Sequence, residues 1–584
     1  MSKSFRWYWG VLFLLLLLTR LSALDAALLA PDEAQIALQA LEAVEERQWT
    51  LSPTSALLLN GNALLFTLFG SGSGIARFLP ALAGVLLALT PWLWRELLPL
   101  SERAGAPPAE PAPPAFPVLG AAFLLLLSPI ALFVSRQVNA TTLGTFGGVL
   151  VITGLFALSL NGDNRRGAWL LGAGLAIGLV GGPAFYDVFT SGLLAWGIWH
   201  WVEGRVPALS RECRRAAGLG LLVALLISLG LGARWNGWAG PVEGLLLWLR
   251  EWQFPAISAN PLLLLLYEPL ILLLAAVGLG LAIRHRESRL LALAAWAVLA
   301  TLLVVLRPGA APAAFLAPLL PLALLGGWAA RHLIPSRLTH NAWVEWVHTA
   351  LGIVLWFFVA LVLLRQARGG QYANGLELPL VLLVLVIHGL MMAGFATLAG
   401  LRRAVNGLIW GLVVVACLLQ VGFGSQAAFI APVNPAEPLV TIGVSEDVRN
   451  LRRVIEDLRI ARGISPDAID LVVVESDPNL ADAWSVVRWT LQPTALRSLA
   501  TWPSGTPEML LTLETVTPPV ETSLAYSGMA FGVLLENSGG IIGCEPGVFP
   551  PVCGHPLAWY FHRKMPAAPQ ITRVILWTRL PDTP

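Results

Sequence analysis

Charge is what this chain of 584 residues has least of: only 12% of its positions are Asp, Glu, Lys or Arg, where soluble domains carry about 25%. That shortfall excludes a large water-soluble enzyme and any long disordered tail, because too few polar side chains exist to coat a globule of this size. The 37 Lys and Arg nearly balance the 35 Asp and Glu, and a net charge of +2 gives no bulk field for nucleic acid. Cysteine is scarce, at four residues. There is no Walker A loop, no HExxH and no CxxC pair, so nucleotide hydrolysis and ordinary zinc chemistry have no support. The eight histidines are scattered. His388 stands alone in an apolar run, where a hydrogen-bonded interior histidine and a ligand are the two readings.

Apolar length is what the chain has. Apolar residues make up 56% of it and the mean hydropathy is +0.72. Runs long enough to cross a hydrocarbon core as helices number about thirteen. They lie near 7–24, 75–98, 117–134, 139–160, 168–182, 184–202, 217–233, 262–283, 290–306, 312–330, 346–364, 378–400 and 404–424. The first follows Lys3 and Arg6, has no clean small-residue cleavage site, and reads as an uncleaved anchor. Glycine-rich stretches such as 172–182 read as close helix packing in lipid, not as nucleotide loops. No internal repeat is evident, and the Pro-rich stretch 106–117 reads as a spacer.

Orientation follows from arginines in alternate loops: Arg95 and Arg103, Arg165 and Arg166, Arg205 to Arg215, Arg284 to Arg289, Arg331 and Arg337, Arg402 and Arg403. The positive-inside rule makes those loops cytoplasmic and puts residues 25–74, 234–261 and everything after about 425 on the outer face. Cys544 and Cys553 close a Gly/Pro-rich stretch in that outer region. A disulfide is expected there, two free thiols being the alternative. The four tryptophans Trp235, Trp238, Trp248 and Trp252 fit an interfacial belt or a stacking face for sugar rings.

After about residue 435 the polarity becomes ordinary. Strands over 439–444 and 469–475 flank a helix over 446–461 with Leu451, Val454, Ile455 and Leu458 on one face, which predicts a small α/β domain with a parallel pair. The expected architecture is therefore an α-helical polytopic membrane domain over 1–430, its first outer loop over 25–74, and an extracytoplasmic α/β domain over 435–584.

The first outer loop carries Pro31-Asp32-Glu33. A proline followed by two acids starts a helix, where carboxylates suit the positive end of the dipole. Two acids just outside a span are equally placed to take a proton from an acceptor hydroxyl. Glu268 sits inside an apolar run, at about 2.5–3.5 kcal/mol on insertion scales unless something compensates. It reads as a cavity-lining acid or as a protonated group bonded to a neighbouring helix. Arg136 and Arg307 lie at outer ends of spans, where stray basic residues seldom collect, and snorkelling to headgroups is the plain reading.

The acidic pair, the loop helix and the run Ala76-Arg77-Phe78-Leu79-Pro80-Ala81-Leu82-Ala83-Gly84 resemble membrane glycosyltransferases of the GT-C fold. The similarity is to the protein O-mannosyltransferase and aminoarabinose transferase family (glycosyltransferase family 39), and within it to the flippase-activity-associated branch. Ser128-Pro129-Ile130, Ser135-Arg136, Asn260-Pro261, Tyr267-Glu268-Pro269, Trp484 to Trp489 and Trp559-Tyr560-Phe561 match further short motifs of that branch. The resemblance implies transfer of a sugar from a polyprenyl phosphate, with inversion, to an acceptor on the outer face, be it glycan, lipid or protein. In that reading Asp32 is the base, with Glu33 its alternate, and Arg136 or Arg307 binds the donor phosphate, a role suited to a permanent cation with two parallel donors. A non-catalytic relative that handles or flips lipid-linked sugars is the alternative. No cofactor is expected, a divalent metal is left open, and membrane lipids are the other partners. The chain departs from the branch at Asn60-Gly61-Asn62, where relatives carry His-Gly-Pro. It departs again after Ser135-Arg136, where an acid is replaced by Asn139, Thr141 and Thr142, and over Arg307 to Pro312, where a Glu-Lys is missing.

Overall fold

The computed structural model describes residues 3–45, 54–98, 116–160, 165–204, 211–253, 262–333, 342–368, 376–463, 471–475, 480–492, 496–499, 501–503, 507–516, 526–536, 556–563, 565 and 568–580. Each expected apolar run is helical. α1 (Lys3–Leu21) leads into the loop helices α2 (Pro31–Glu45) and α3 (Ala56–Phe69), and then α4 (Ser73–Leu89). α5 (Phe116–Leu127), α6 (Pro129–Ser135), α7 (Thr141–Leu160), α8 (Arg165–Gly181), α9 (Ala184–Glu203) and α10 (Arg211–Ser228) follow. Beyond the short α11 (Gly240–Arg250) come α12 (Leu262–Tyr267), α13 (Pro269–His285), α14 (Ser288–Leu306) and α15 (Leu319–Leu333). α16 (Ala342–Arg368), α17 (Glu377–Ala399) and α18 (Leu401–Ser425) close the helical part.

Among the described residues, seven helical segments are long and apolar enough to cross a membrane, namely Ser73–Trp94, Thr141–Leu160, Ser288–Leu306, Pro312–His332, Trp343–Ala367, Glu377–Ala399 and Leu401–Ile430. α5 and α6, bent by 63° to one another, qualify together as an eighth. The other expected runs, in α1, α8, α9, α10 and α12–α13, are helices outside that measure. Two breaks come from proline. Pro129 and Pro269 each open a helix at a first-turn position, where the missing N–H is harmless, and each preceding residue leaves helical geometry. Ser128 caps the new helix, its Oγ accepting from Ala131 N at 3.1 Å. Glycine-mediated packing in 172–182 is evident at Gly174, where a Cβ would lie 2.6 Å from Val151 N on α7.

Among the described residues, the C-terminal part holds a six-stranded mixed sheet in the order β1-β5-β6-β4-β2-β3. Its strands are β1 (Gly443–Val444), β2 (Leu471–Val474), β3 (Leu496–Leu499), β4 (Met509–Leu513), β5 (Tyr526–Glu536) and β6 (Gln570–Arg579). α19 (Asp447–Ala461) and α20 (Ala481–Thr490) pack on it, and α21 (Pro556–His562) reaches back to the helices. The expected strand over 439–444 survives only as β1, which pairs antiparallel with β5. The parallel pairs are β2 with β3 and β2 with β4. Cys544 and Cys553 lie outside the described residues, as does their expected bridge.

Hydrophobic burial divides differently from the chain. One core fills the helical bundle around Trp94, Trp296 and Trp328. A second unites Ala34, Ala37 and Leu41 of α2 with Trp484 and Val487 of α20 and the inner face of the sheet. Ser485 Oγ donates to Pro31 O at 3.2 Å, and Trp489 Nε1 donates to Ser73 Oγ at 3.0 Å. The first loop and the sheet thus form one packed layer.

Candidate functional site

The two adjacent acids of the first loop have opposite fates. Glu33 is buried and all its acceptor capacity is used. Its Oε1 accepts from Arg77 Nε at 3.0 Å and Val138 N at 2.6 Å, and its Oε2 accepts from Arg77 Nη2 at 2.7 Å and Ala30 N at 2.9 Å. Arg77 spends its remaining donors on Leu24 O and Ala27 O, both at 2.9 Å, and on Leu28 O at 2.8 Å. Both side chains are 5% exposed, so this bidentate pair ties α1's exit, α2, α4 and the segment after α6 into one knot. Asp32, one residue earlier, keeps an exposed edge. Protein crowds its other sides, and desolvation, followed by the carboxylates of Asp482 and Glu33, raises its pKa above the ordinary 3.8.

Arg136 closes α6. Its Nη1 donates to Thr19 O at 3.1 Å, Arg20 O at 3.3 Å and Ser22 O at 2.7 Å, its Nη2 donates to Ala23 O at 3.2 Å, and its plane lies 4.2 Å from the centroid of Phe429. It therefore satisfies the carbonyls that α1 leaves free at its C-terminus. It also lines a cavity of about 400 Å³ between that end of α1, the turn after α18 and the start of the sheet layer. Arg20 lies fully buried nearby, with Nη2 on Leu125 O at 3.0 Å and with Nε and Nη1 unpartnered. Among the described residues neither arginine has a carboxylate within ion-pair distance, whereas Arg77 is neutralised by Glu33. Arg136 is the one cation among the described residues on the wall of this cavity, and Glu446, 3.3 Å from Arg449, stands on the same wall.

Of the four groups expected to border one cavity, only Glu33 and Arg136 share a wall, in a small recess that also touches Arg77 and Gln137. Asp32 lines neither cavity, and the carboxylates that act on it are those of Asp482 and Glu33. Glu268 is wholly buried and lines neither cavity. Its Oε1 accepts from Ser128 Oγ at 2.5 Å and Ile130 N at 3.1 Å, and its Oε2 accepts from Gln420 Nε2 at 2.7 Å. The expectation of a cavity acid gives way to a carboxylate that holds the start of α6 against α18. Tyr267 donates to Glu437 Oε2 at 2.5 Å, and Arg563 Nε donates to Glu437 Oε1 at 2.5 Å. That second clamp joins α12 to α21.

Arg307 departs from expectation in the same way. It is buried and paired bidentately with Asp187, Nη2 donating to Oδ2 at 2.9 Å, while its Nε lies 3.0 Å from Glu251 Oε2. Trp248 Nε1 donates to Asp187 Oδ1 at 2.9 Å. A guanidinium paired bidentately with Asp187 has little charge left for a phosphate. This cluster fixes the outer loop, and Glu251, desolvated there, has its pKa pushed up to about 7. Trp248 also stands 6.2 Å from Tyr186, ring centroid to ring centroid.

Sequence reasoning passed over Arg20, Asp187, Gln420 and Glu437. Arg20 had a signal: a basic residue at the outer end of a span, contrary to the positive-inside pattern. The others became visible only through partners more than 100 residues away.

No family model and no curated protein matches the sequence. Solved structures do. ArnT from Cupriavidus metallidurans bound to undecaprenyl phosphate is similar with a TM-score of 0.51 at 15% identity, over 87% of this chain and 93% of that one. The same protein in the apo state gives 0.51 at 15%, over 88% and 94%. The chain has the GT-C fold. The Archaeoglobus fulgidus oligosaccharyltransferase tethered to an acceptor peptide is more distant, with a TM-score of 0.44 at 12% identity over 84% of this chain and 63% of that one. These likenesses bear on the fold as a whole, and nothing in them singles out the flippase-activity-associated branch.

Proposed function

We propose that this protein is an integral membrane glycosyltransferase that moves a sugar from a polyprenyl-phosphate donor to an acceptor hydroxyl on the outer face. The observation that carries the reading is Arg136, which has no carboxylate within ion-pair distance among the described residues, on the wall of a cavity of about 400 Å³ beside the first loop, with Arg20 buried behind it. Support for the donor class comes from the fold, shared with a protein solved with undecaprenyl phosphate bound.

In the reaction, the acceptor approaches along the exposed edge of the first loop on which Asp32 stands, outside the Arg136 cavity, and Asp32 accepts the proton of its hydroxyl as that oxygen forms a bond to the anomeric carbon. The bond from that carbon to the phosphate oxygen breaks, and the polyprenyl phosphate leaves with the electron pair. Arg136 meets a charge present in the donor that grows as the bond breaks, so it contributes to binding and to turnover. Asp32 is the base because its carboxylate is free of the Arg77 pair that occupies Glu33, and Glu33 is its scaffold. We assign Glu268 to positioning α6, and so Arg136. Arg307 falls to positioning the outer loop. The sheet layer over 435–584, placed outside the cytoplasm in this reading, covers the cavity's outer side.

The test is transfer by purified protein supplied with radiolabelled polyprenyl-phosphate sugar. Arg136→Ala is expected to raise KM and to lower kcat, because the phosphate charge exists in both states. Wild-type kinetics in that variant would remove Arg136 from the donor site.

A further inference from the structure

A second surface lies at the far end of the helical bundle from Arg136. α8 and α10 pack so closely that a Cβ on Gly172 would lie 2.7 Å from Ala216 O, and one on Gly220 2.4 Å from Gly172 O. Side by side, they leave an apolar groove of about 440 Å³ whose floor is built of Ala168, Gly172, Ala173, Ala176, Ala216 and Gly220. From Arg165 to Ile177 the groove follows α8 for about 18 Å at 1.5 Å per residue. That is close to the apolar depth of a single leaflet, about 15 Å.

One end is charged. Arg165 and Arg215 form its rim with Glu212, and exposed Trp169 stands one turn inward. Neither Arg165 nor Arg215 makes an ion pair among the described residues, whereas neighbouring Arg166 lies 3.5 Å from Glu96. The opposite end of α8 reaches Gly182, where a Cβ would lie 2.7 Å from the Cβ of Ala140, four residues after Arg136. The basic rim is thus about 24 Å along α8 from the candidate donor site, most of the way across a hydrocarbon core of about 30 Å.

We propose that this groove binds one anionic diacyl phospholipid from the leaflet opposite the donor site, an acyl chain lying along the small-residue floor and the phosphate between Arg165 and Arg215. Charge complementarity selects the headgroup, each arginine near a membrane surface being worth about 1 kcal/mol toward anionic lipid. The floor, free of protruding side chains, suits a straight methylene chain. The rim lies in the wrong leaflet for the polyprenyl phosphate that Arg136 faces.

Full-length protein in detergent, exposed to equimolar phosphatidylglycerol and phosphatidylcholine and read by native mass spectrometry, tests this without any sugar donor. Its outcome is therefore separable from that of the transferase reading. The expected result is one retained phosphatidylglycerol, favoured about tenfold or more over phosphatidylcholine. Arg165→Gln with Arg215→Gln should abolish the headgroup preference, both side chains being exposed. Ala173→Trp, on the exposed floor, should block retention of either lipid. Equal retention of the two lipids, unchanged retention in the variants, or displacement by an equal amount of undecaprenyl phosphate would overturn the assignment.

Discussion

Asp32 and Glu33 show how two adjacent carboxylates divide labour by their partners. Read from the sequence, both fitted a helix start and both fitted a base. The decisive fact is that Arg77, 44 residues on, claims Glu33 with two hydrogen bonds and leaves Asp32 without a cation. Glu33→Gln should therefore act on stability: it leaves Arg77 buried without its counter-charge, at about 3–5 kcal/mol, visible as a lowered thermal unfolding midpoint. Asp32→Asn should leave that midpoint nearly unmoved. The raised pKa of Asp32 also has a sign to check. Its carboxylate form, needed as base, is lost as pH falls through the raised value, so the acid limb of the turnover profile should lie above pH 3.8. A profile flat down to pH 4 would assign the base elsewhere.

At the level of elements, apolar length predicted the helical runs, because a span must satisfy its backbone within itself and so declares itself locally. Of these, seven or eight among the described residues are long and apolar enough to cross a membrane. What apolar length did not predict was the break at each proline or the purpose of Glu268. The carboxyl group sits at the start of α6, where it accepts from Ile130 N, and its other oxygen holds Gln420 of α18. Glu268→Ala should release α6, weakening polyprenyl-phosphate binding through Arg136 while also lowering the unfolding midpoint. Unchanged donor affinity in a destabilised protein would separate α6 from the site. The outer loop offers a pH test. Glu251 is held near pKa 7, above the unfolded value of about 4.5, so the folded state carries the extra proton between those values. The stability it contributes is full below about 4.5 and is lost as pH rises through 7. Hydrogen exchange over Gly240–Arg250, corrected for intrinsic rates, should show less protection at pH 7.5 than at pH 5.5, and equal protection would deny Glu251 that role.

For the whole molecule, the helical bundle and the presence of a terminal α/β layer were legible from composition, but the boundary between them was not. The polarity change near residue 435 marks where the chain leaves the apolar region, whereas packing joins α2 to α20 and the sheet across more than 400 residues. β1 was misjudged for the same reason: its partner is β5, and pairings between distant segments leave no local trace. Residues 435–584 expressed alone should accordingly lack a cooperative unfolding transition, since the α2 face that covers Trp484 and Val487 is missing. The central claim is catalysis, and the direct measurement is single-turnover transfer of radiolabelled sugar from polyprenyl phosphate by purified wild-type protein and by Asp32→Asn. The account predicts transfer by the wild type and a rate lower by about a hundredfold or more in the variant, with donor binding kept. Equal rates in the two proteins, or no transfer by a wild type that still binds polyprenyl phosphate, would contradict it.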